Sequence, residues 1–205
     1  MESTGKFIVF EGLDGCGKTT VSKKICEYLQ NKNIPSIWSK EPTDFPTGKK
    51  IRNFLKGEID LSPEQEIQSF LDDREVSVSK IISPNLEKNI NVILDRYYYS
   101  TAAYQSSKDY PAKKVLERNL EKKFPIPDLV LFLDISPEES LKRIEKRLNL
   151  GEKKERFETI QQLTIIRQSY KEVLPPSVVI IDATKSLEEV ENLCLEKILS
   201  LLQSA

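Results

Sequence analysis

The chain contains 205 residues, of which 39% are hydrophobic and 31% are charged. That length and composition suit one folded domain and exclude disorder as the main state. Lys and Arg together number 31 against 32 for Asp and Glu, giving a net charge of -1, which excludes the strongly basic character of a general nucleic-acid-binding protein.

Absent and scarce residue types restrict the chemistry further. His is absent, which excludes imidazole acid-base catalysis and His-ligated metal sites. The 3 cysteines, Cys16, Cys26 and Cys194, show no paired spacing and predict neither a disulfide framework nor a zinc site. No run approaches the roughly 18 apolar residues of a membrane span, and no leader pattern opens the sequence, so we expect a cytoplasmic protein that does not bind a membrane.

Short runs rich in β-branched or aromatic residues alternate with segments of helical spacing along the whole chain. The runs are predicted as strands buried on both faces, and they cover residues 7–10, 37–39, 92–94, 129–133 and 178–181. Capping-box patterns predict helix starts at Ser62, Ser136 and Ser186. This alternation predicts an α/β fold with a central parallel sheet.

A phosphate-binding motif follows the first predicted strand. It has the pattern GxxxxGK[ST] between a strand and a helix, and its candidate ATP-binding residues are Gly12, Leu13, Asp14, Gly15, Cys16, Gly17, Lys18, Thr19 and Thr20. The glycines let backbone amides converge on phosphate oxygens, the Lys reaches the outer phosphates, and the Thr hydroxyl after it suits Mg²⁺. We call residues 12–20 the phosphate loop.

The phosphate loop alone predicts a nucleotide and leaves the reaction open, because switch GTPases, motor ATPases and small-molecule kinases share it. A GTPase would normally carry an NKxD motif that reads guanine. The nearest sequence, Asn31-Lys32-Asn33-Ile34, lacks the acid, which disfavours that class.

A second candidate site follows the strand at 92–94. Asp95 and Arg96 come at its end, where ligands bind in open α/β sheets. Asp95 suits Mg²⁺ and Arg96 suits a phosphate; a mutual salt bridge at the strand end is the alternative. Ser100 and Tyr104 are spaced to share one helical face.

Two further segments have both a functional and a structural interpretation. Phe70 and Arg74 lie one helical turn apart and suit a nucleobase, although an aromatic at the core edge beside a surface charge has the same pattern. Residues 143–156 are rich in Lys and Arg; we expect a helix end followed by a mobile basic flap, and a solvated helical face is the alternative.

Taken in order, these motifs resemble the thymidylate kinase family. The resemblance rests on residues 10–20, 70–74, 95–105, 127–138 and 155–158. It implies a P-loop NTPase-type three-layer α/β/α sandwich, with a single kinase domain over 1–205 and a small LID at about 143–157. The implied reaction transfers the γ-phosphoryl group of ATP to dTMP with Mg²⁺, in a homodimer that binds no nucleic acid.

The resemblance also assigns residues to roles. Phe70 would stack on thymine, Arg74 would bond a thymine oxygen, and Tyr104 would pack near the deoxyribose. The implied dTMP site comprises Glu41, Pro42, Arg52, Phe70, Arg74, Arg96, Ser100, Thr101, Tyr104 and Gln105. The implied catalytic residues are Lys18, Asp14, Arg96, Arg147 and Arg156, of which the last two would be LID arginines that close over ATP, and the metal would be held by Thr19 and Asp95.

The sequence departs from the family pattern after the second predicted strand. Family members commonly have Arg-Glu-Pro-Gly-Gly there, and this chain has Lys40-Glu41-Pro42-Thr43-Asp44. Two other functions stay open at this stage: a P-loop kinase for another nucleoside monophosphate or nucleoside, and a regulator that senses ATP without turnover. The sequence contains Lys18, Arg96 and a basic flap. This combination disfavours the regulator, because a sensor of ATP needs no second phosphate site.

Overall fold

The computed structural model describes residues 4–151 and 153–203. Its centre is a 5-stranded parallel sheet with strand order β2-β3-β1-β4-β5, which confirms the predicted fold class. The strands are β1 (Phe7–Gly12), β2 (Ser36–Lys40), β3 (Asn91–Asp95), β4 (Leu129–Asp134) and β5 (Val179–Asp182).

Helices flank the sheet in two packed groups. In one group α1 contacts α9, and both contact strands; in the other α5, α6 and α8 contact one another, and α5 also contacts β1. A π-helical turn at Val78–Ile82 separates α3 from α4. The helices are α1 (Lys18–Asn31), α2 (Pro46–Leu55), α3 (Pro63–Ser77), α4 (Ser83–Leu86), α5 (Tyr98–Tyr104), α6 (Ala112–Glu121), α7 (Pro137–Asn149), α8 (Ile160–Val173) and α9 (Leu187–Gln203).

The predicted helix starts are found, and one capping box is incomplete. Ser62 and Ser186 each form a complete capping box: the serine side chain accepts from the backbone N–H three residues later, and the side chain of that later residue accepts from the serine N–H. Ser136 accepts from the backbone N–H of Glu139 at 3.2 Å, but the Glu139 carboxylate instead accepts from Arg143 Nε at 2.9 Å. The full box predicted at Ser136 is therefore wrong, because an Arg one turn later competes for its carboxylate.

The prediction that every strand is buried on both faces is wrong for the two edge strands. β1 and β3 are buried along their whole length, whereas β2 and β5 lie at the two edges of the sheet and are partly exposed. Ile180 in β5 is 64% exposed. A run of β-branched residues favours a strand but does not determine its position in the sheet.

The register of the sheet brings the sequence motifs to one edge. Phe10 of β1 pairs with Asp95 of β3, and Lys40 of β2 pairs with the same Asp95. Since all strands are parallel, the segments that follow β1, β2 and β3 leave the sheet at their shared carboxyl ends, where open α/β sheets bind ligands.

Candidate active site

The phosphate loop connects β1 to α1 in the conformation that its glycines permit. Gly15 and Gly17 have φ angles of 76° and 98°, in the left-handed region that other residues rarely adopt. Lys18 is buried, and its Nζ donates to the carbonyls of Gly12 at 2.9 Å and Leu13 at 2.8 Å. Two positive features, the Lys18 ammonium and the amino end of α1, therefore lie at the loop.

A first pocket opens over the phosphate loop. It is lined by Asp14, Gly15, Gly17, Lys18, Thr19, Thr20, Arg96, Arg143 and Arg147. The remaining predicted loop residues, Gly12, Leu13 and Cys16, support it from behind: the first two supply carbonyls to Lys18, and Cys16 is 3% exposed. The Cys16 side chain fits there because position 12 is a glycine: a Cβ at that position would lie only 2.8 Å from the Cys16 sulfur.

Two arginines of α7 contribute to the first pocket, and only one was assigned from the sequence. Arg147 lines the pocket as expected, with its Nη2 atom 3.3 Å from Glu158 Oε1. Arg143, one turn earlier, lines the same pocket and is fixed by Glu139 at 2.9 Å and by the carbonyl of Ala183 at 3.0 Å. The i, i+4 spacing from Arg147 was the signal that could have identified it.

The predicted LID divides into two parts. Residues 143–149 belong to helix α7, and an irregular segment follows at 150–151 and 153–159; residue 152 of the predicted LID lies outside the described residues. In that segment, Arg156 lies against the end of α2 rather than over the phosphate loop. Its Nε donates to the Phe54 carbonyl at 2.6 Å, its Nη2 donates to the Ile59 carbonyl at 3.0 Å, and its guanidinium stacks on the Phe54 ring. The structure therefore does not bring Arg156 to the first pocket with Arg147.

Asp95 and Arg96 face different partners at the end of β3. Asp95 is 5% exposed, and its Oδ2 accepts a hydrogen bond from the Thr19 hydroxyl. Its Oδ1 is buried and has no hydrogen-bond partner among the described residues. Arg96 instead pairs with Asp14 through Nη2 and donates through Nη1 to Ser100 Oγ at 3.1 Å. Arg96 therefore forms its ion pair with Asp14 of the phosphate loop. The alternative considered from the sequence, a mutual salt bridge between Asp95 and Arg96, is not the pair that this structure shows.

Arg96 also has a left-handed backbone, with φ of 73°, which is uncommon for a residue with a side chain and costs of order 1–3 kcal/mol.

The ion pair with Arg96 affects the ionisation of Asp14. Burial raises the pKa of the Asp14 carboxyl, but the positive charges of Arg96 and Lys18 outweigh that effect and hold the pKa below its usual range. The Tyr104 hydroxyl donates to Asp14 Oδ2 at 3.0 Å. Asp14 therefore stays ionised at neutral pH.

A buried carboxylate that sequence reasoning missed supports this arrangement. Glu11 is 0% exposed, and burial raises the pKa of its carboxyl. It accepts hydrogen bonds from the Tyr97 N–H at 3.0 Å, the Ser100 N–H at 3.2 Å and the Tyr170 hydroxyl at 3.0 Å. These bonds fix the start of α5 against β1. An acid within an apolar strand was the signal, since such a group is buried only with partners.

A second pocket lies beside the first. It is lined by Asp14, Lys40, Pro42, Arg52, Leu55, Phe70, Arg96, Ser100, Tyr104, Gln105, Glu155 and Phe157. Most of the predicted dTMP residues are in this lining. Four residues of the lining were not assigned to it from the sequence: Lys40, Leu55, Glu155 and Phe157. Apolar residues are usually explained by packing and charged residues by exposure to solvent, so the sequence pattern did not indicate a binding role for them.

Three of the predicted dTMP residues, Glu41, Arg74 and Thr101, form a cluster behind the second pocket. Arg74 is 1% exposed; its Nη2 donates to Glu41 Oε2 at 2.6 Å and to Thr101 Oγ1 at 3.1 Å, and its Nη1 donates to Asn119. Burial raises the pKa of Glu41 to about 7, against the lowering effect of the Arg74 charge. The structure thus places Phe70 in the pocket lining and Arg74 in the layer beneath it.

The two pockets meet at a shared boundary. Asp14 and Arg96 line both of them. One pocket has the loop, lysine and helix end that suit a nucleotide triphosphate chain, and the other combines an aromatic ring with cationic side chains. The arrangement therefore offers two adjacent cationic pockets, each suited to a phosphate-bearing molecule.

Comparison with known families decides between the kinase classes. The family model described as thymidylate kinase matches residues 10–194. The chain belongs to the thymidylate kinase family. It is therefore an enzyme of the kinase class, as the resemblance implied, and the regulator interpretation is wrong.

Individual thymidylate kinases agree with this assignment over nearly their full length. The chain is 49% identical to the thymidylate kinase of Leptospira borgpetersenii serovar Hardjo-bovis, covering 93% of this chain and 91% of that protein. It is 41% identical to a probable thymidylate kinase of Archaeoglobus fulgidus, covering 90% of each. Among solved structures, the thymidylate kinase of Candida albicans superimposes with a TM-score of 0.80 at 27% identity, covering 98% of this chain and 93% of that one.

Proposed function

We propose that this thymidylate kinase transfers the γ-phosphoryl group of ATP to dTMP, producing dTDP and ADP through the residues described above. The observation that carries the proposal is the shared boundary: Asp14 and Arg96 line both the first and the second pocket. A phosphoryl group that passes between the two pockets crosses a region where Arg96 neutralises its charge, which is the main requirement of phosphoryl transfer.

In the first pocket, the phosphate loop would bind the ATP phosphates. The amino end of α1 and the Lys18 ammonium attract the phosphate chain, and Arg143 and Arg147 provide further positive charge in the same pocket. Position 15 is Gly, so the loop supplies no arginine of its own. The arginine charge that neutralises the transferred group must then come from Arg96 and from α7 and the segment after it.

The residues present fit a magnesium ion at the boundary of the first pocket. The buried Asp95 Oδ1 has no hydrogen-bond partner among the described residues, and the Thr19 hydroxyl lies beside the other oxygen of the same carboxylate. Oxygen ligands of this kind, completed by phosphates and water, are those that Mg²⁺ prefers. We propose that Thr19 and Asp95 hold the ion, which when bound would neutralise phosphate charge.

In the second pocket, dTMP would be oriented by stacking and by charge. The Phe70 ring lines the pocket and offers a face for the base. Gln105 also lines the pocket, and its Oε1 is buried with no partner among the described residues, so it suits the imide N–H of thymine. Arg52 and Arg96 would bind the acceptor phosphate, and Tyr104 would pack against the deoxyribose.

No general base is required for this reaction. The second pKa of a phosphate monoester is about 6, so the acceptor is already a dianion at neutral pH. Asp14 would then serve the sugar hydroxyl and the charge balance around Arg96 rather than proton transfer from the acceptor. The complete absence of His is consistent with a mechanism that needs only positioning and charge neutralisation.

The catalytic role of Arg156 requires movement of the segment at 153–159. In this structure Arg156 donates to the Phe54 and Ile59 carbonyls. We propose that these contacts break when both substrates bind and that the segment then closes over ATP, which would exclude water and limit hydrolysis.

A coupled assay of ADP release tests the proposed reaction. The acceptors are dTMP, dUMP, dCMP, dGMP, AMP and thymidine, each with ATP and Mg²⁺ and each compared with a reaction that lacks an acceptor. Turnover led clearly by dTMP supports the proposal. Turnover led by another acceptor would overturn the assignment of the base, and equal ADP release without an acceptor would overturn the assignment of the second pocket.

Further expectations concern the assembly and location of the protein. No described helix is long and apolar enough to cross a membrane. We propose a cytoplasmic homodimer that acts on ATP and dTMP without binding nucleic acid; sedimentation at a defined concentration tests the dimer, and a sedimentation coefficient of a single chain would contradict it.

A further inference from the structure

The loop after β2, where the sequence departs from the family pattern, is attached to α3 through one carboxylate. Asp73 Oδ2 accepts from the Thr43 backbone N–H at 2.8 Å, and Asp73 Oδ1 accepts from the Thr43 and Thr47 hydroxyls at 2.6 Å each. We call Asp73, Thr43 and Thr47 the Asp73 cluster. Asp73 is 1% exposed and Thr43 is 2% exposed, so these hydrogen bonds form largely out of contact with water.

Burial makes the contacts of the Asp73 cluster consequential. A carboxylate out of water is tolerated only when hydrogen bonds replace its hydration, and bonds to a charged acceptor are stronger than bonds between neutral groups. The Thr43 hydroxyl also accepts from the Phe45 N–H at 3.3 Å. The threonine at position 43 therefore supplies a donor that a glycine, the common family residue at that position, does not have.

The loop held by the Asp73 cluster in turn positions Arg52. The Arg52 Nη1 atom donates to the carbonyls of Pro42, at 3.1 Å, and Thr43. α2 packs very closely against the same loop, because a Cβ at Gly48 would lie 1.9 Å from the Thr43 carbonyl oxygen. Arg52 and Pro42 both line the second pocket. The Arg52 guanidinium is thus held by carbonyls whose own position depends on Asp73, together with the carboxylate of Asp44 in the same loop, which lies 3.3 Å from Nη2.

We propose that Asp73 is a positioning residue that acts through Thr43 and Arg52 on the acceptor phosphate. Asp73 itself is not in the lining of the second pocket, so its effect must pass through the loop. The inference rests on the proposed function, since it assigns to Arg52 the phosphate of the acceptor rather than its base.

The test compares two ligands that differ only in the phosphate. Dissociation constants for dTMP and for thymidine are measured by calorimetry with the wild type, Thr43→Val and Thr47→Val. Valine removes the hydroxyl at nearly constant volume. We expect dTMP to bind about tenfold more weakly to Thr43→Val, as for the loss of one hydrogen bond to a charged group, with thymidine affinity and the KM for ATP unchanged. Thr43→Ser, which retains the hydroxyl, should restore dTMP affinity.

Matched variants separate this effect from a general loss of structure. Thr164→Val removes an exposed hydroxyl that donates to the Ile160 carbonyl on α8, outside both pockets, and should leave both affinities unchanged. In a double-mutant cycle, Thr43→Val should add little in an Arg52→Ala background, because the two changes remove the same interaction.

The outcomes distinguish failure of the inference from failure of the proposed function. Equal losses of dTMP and thymidine affinity, or a full additional loss in the Arg52→Ala background, would overturn the role of Asp73 while leaving the reaction in place. Unchanged dTMP affinity in Thr43→Val would do the same. If the wild type instead binds thymidine but neither binds nor phosphorylates dTMP, the proposed function itself fails.

Discussion

Replacing Arg96 with Ala tests the shared boundary of the two pockets most directly. The side chain is 18% exposed and pairs with Asp14. Because Ala also carries a Cβ, the cost of the left-handed backbone at φ 73° is nearly the same in both proteins, and the change isolates the guanidinium. It removes the charge that would neutralise the acceptor phosphate, and it leaves the Asp14 carboxylate without its nearest cation.

The expected loss follows from the charge geometry. Two unit charges about 4 Å apart at an effective dielectric of about 20 interact by about 4 kcal/mol, and partial exposure of Arg96 reduces that value. Loss of one preorganised donor in a transition state costs about 2.7–4 kcal/mol, or about 100 to 1,000-fold in rate. We therefore expect kcat/KM for dTMP to fall by about 100 to 1,000-fold in Arg96→Ala.

The assay measures kcat and KM for dTMP by ADP release and the dissociation constant for ATP by calorimetry. The affinity for ATP should stay within about threefold, because Lys18 and the phosphate loop carry that interaction. Part of the lost rate should return in Arg96→Ala combined with Asp14→Asn, since the second change removes an uncompensated negative charge. A parallel loss of ATP affinity, or a fall in kcat/KM of less than about fivefold, would refute this account of Arg96.

Other side chains give separate predictions. Phe70→Ala should raise the KM for dTMP by about 5 to 150-fold, because stacking on one base is worth about 1–3 kcal/mol; an unchanged KM would remove Phe70 from the base site. Arg143→Ala should raise the KM for ATP by about tenfold, while Lys142→Ala, on the exposed face of α7, should have no effect; equal effects would point to general charge. Burial raises the pKa of Glu41 to about 7 from 4.5, so the folded protein keeps a proton that the unfolded chain releases. The free energy of unfolding should therefore fall as pH rises from 4.5 to 7, by up to about 1.4 kcal/mol per pH unit from this group. Urea titrations should show that Glu41→Gln lacks this component, and identical pH slopes in both proteins would contradict it.

The parts of the site that follow directly from a strand could be predicted from the sequence. The phosphate loop and Asp95-Arg96 each come at the carboxyl end of a parallel strand, and backbone geometry alone places such residues at one edge of the sheet. The spacing of Ser100 and Tyr104 also gave the correct shared face, since both line the second pocket.

The parts that depend on tertiary packing could not be predicted in the same way. The spacing of Phe70 and Arg74 indicates one helical face, but α6 supplies Asn119 and the β2–α2 loop supplies Glu41, and these partners hold Arg74 in the buried layer. Arg156 is similarly held by the end of α2. Local spacing predicts the direction of a side chain from its helix, whereas the partner comes from a distant part of the chain.

The shared boundary has a consequence for the design of ligands. Asp14 and Arg96 belong to both pockets, so a single ion pair lies between the two phosphate sites at that point. We expect a single molecule that carries a nucleoside at each end of a polyphosphate chain to occupy both pockets at once. Such a molecule loses its translational and rotational freedom once on binding, whereas two separate molecules lose theirs twice. Once one end is bound, the other end is held at a high effective concentration near its pocket, so the affinity of the linked molecule should exceed that of either half.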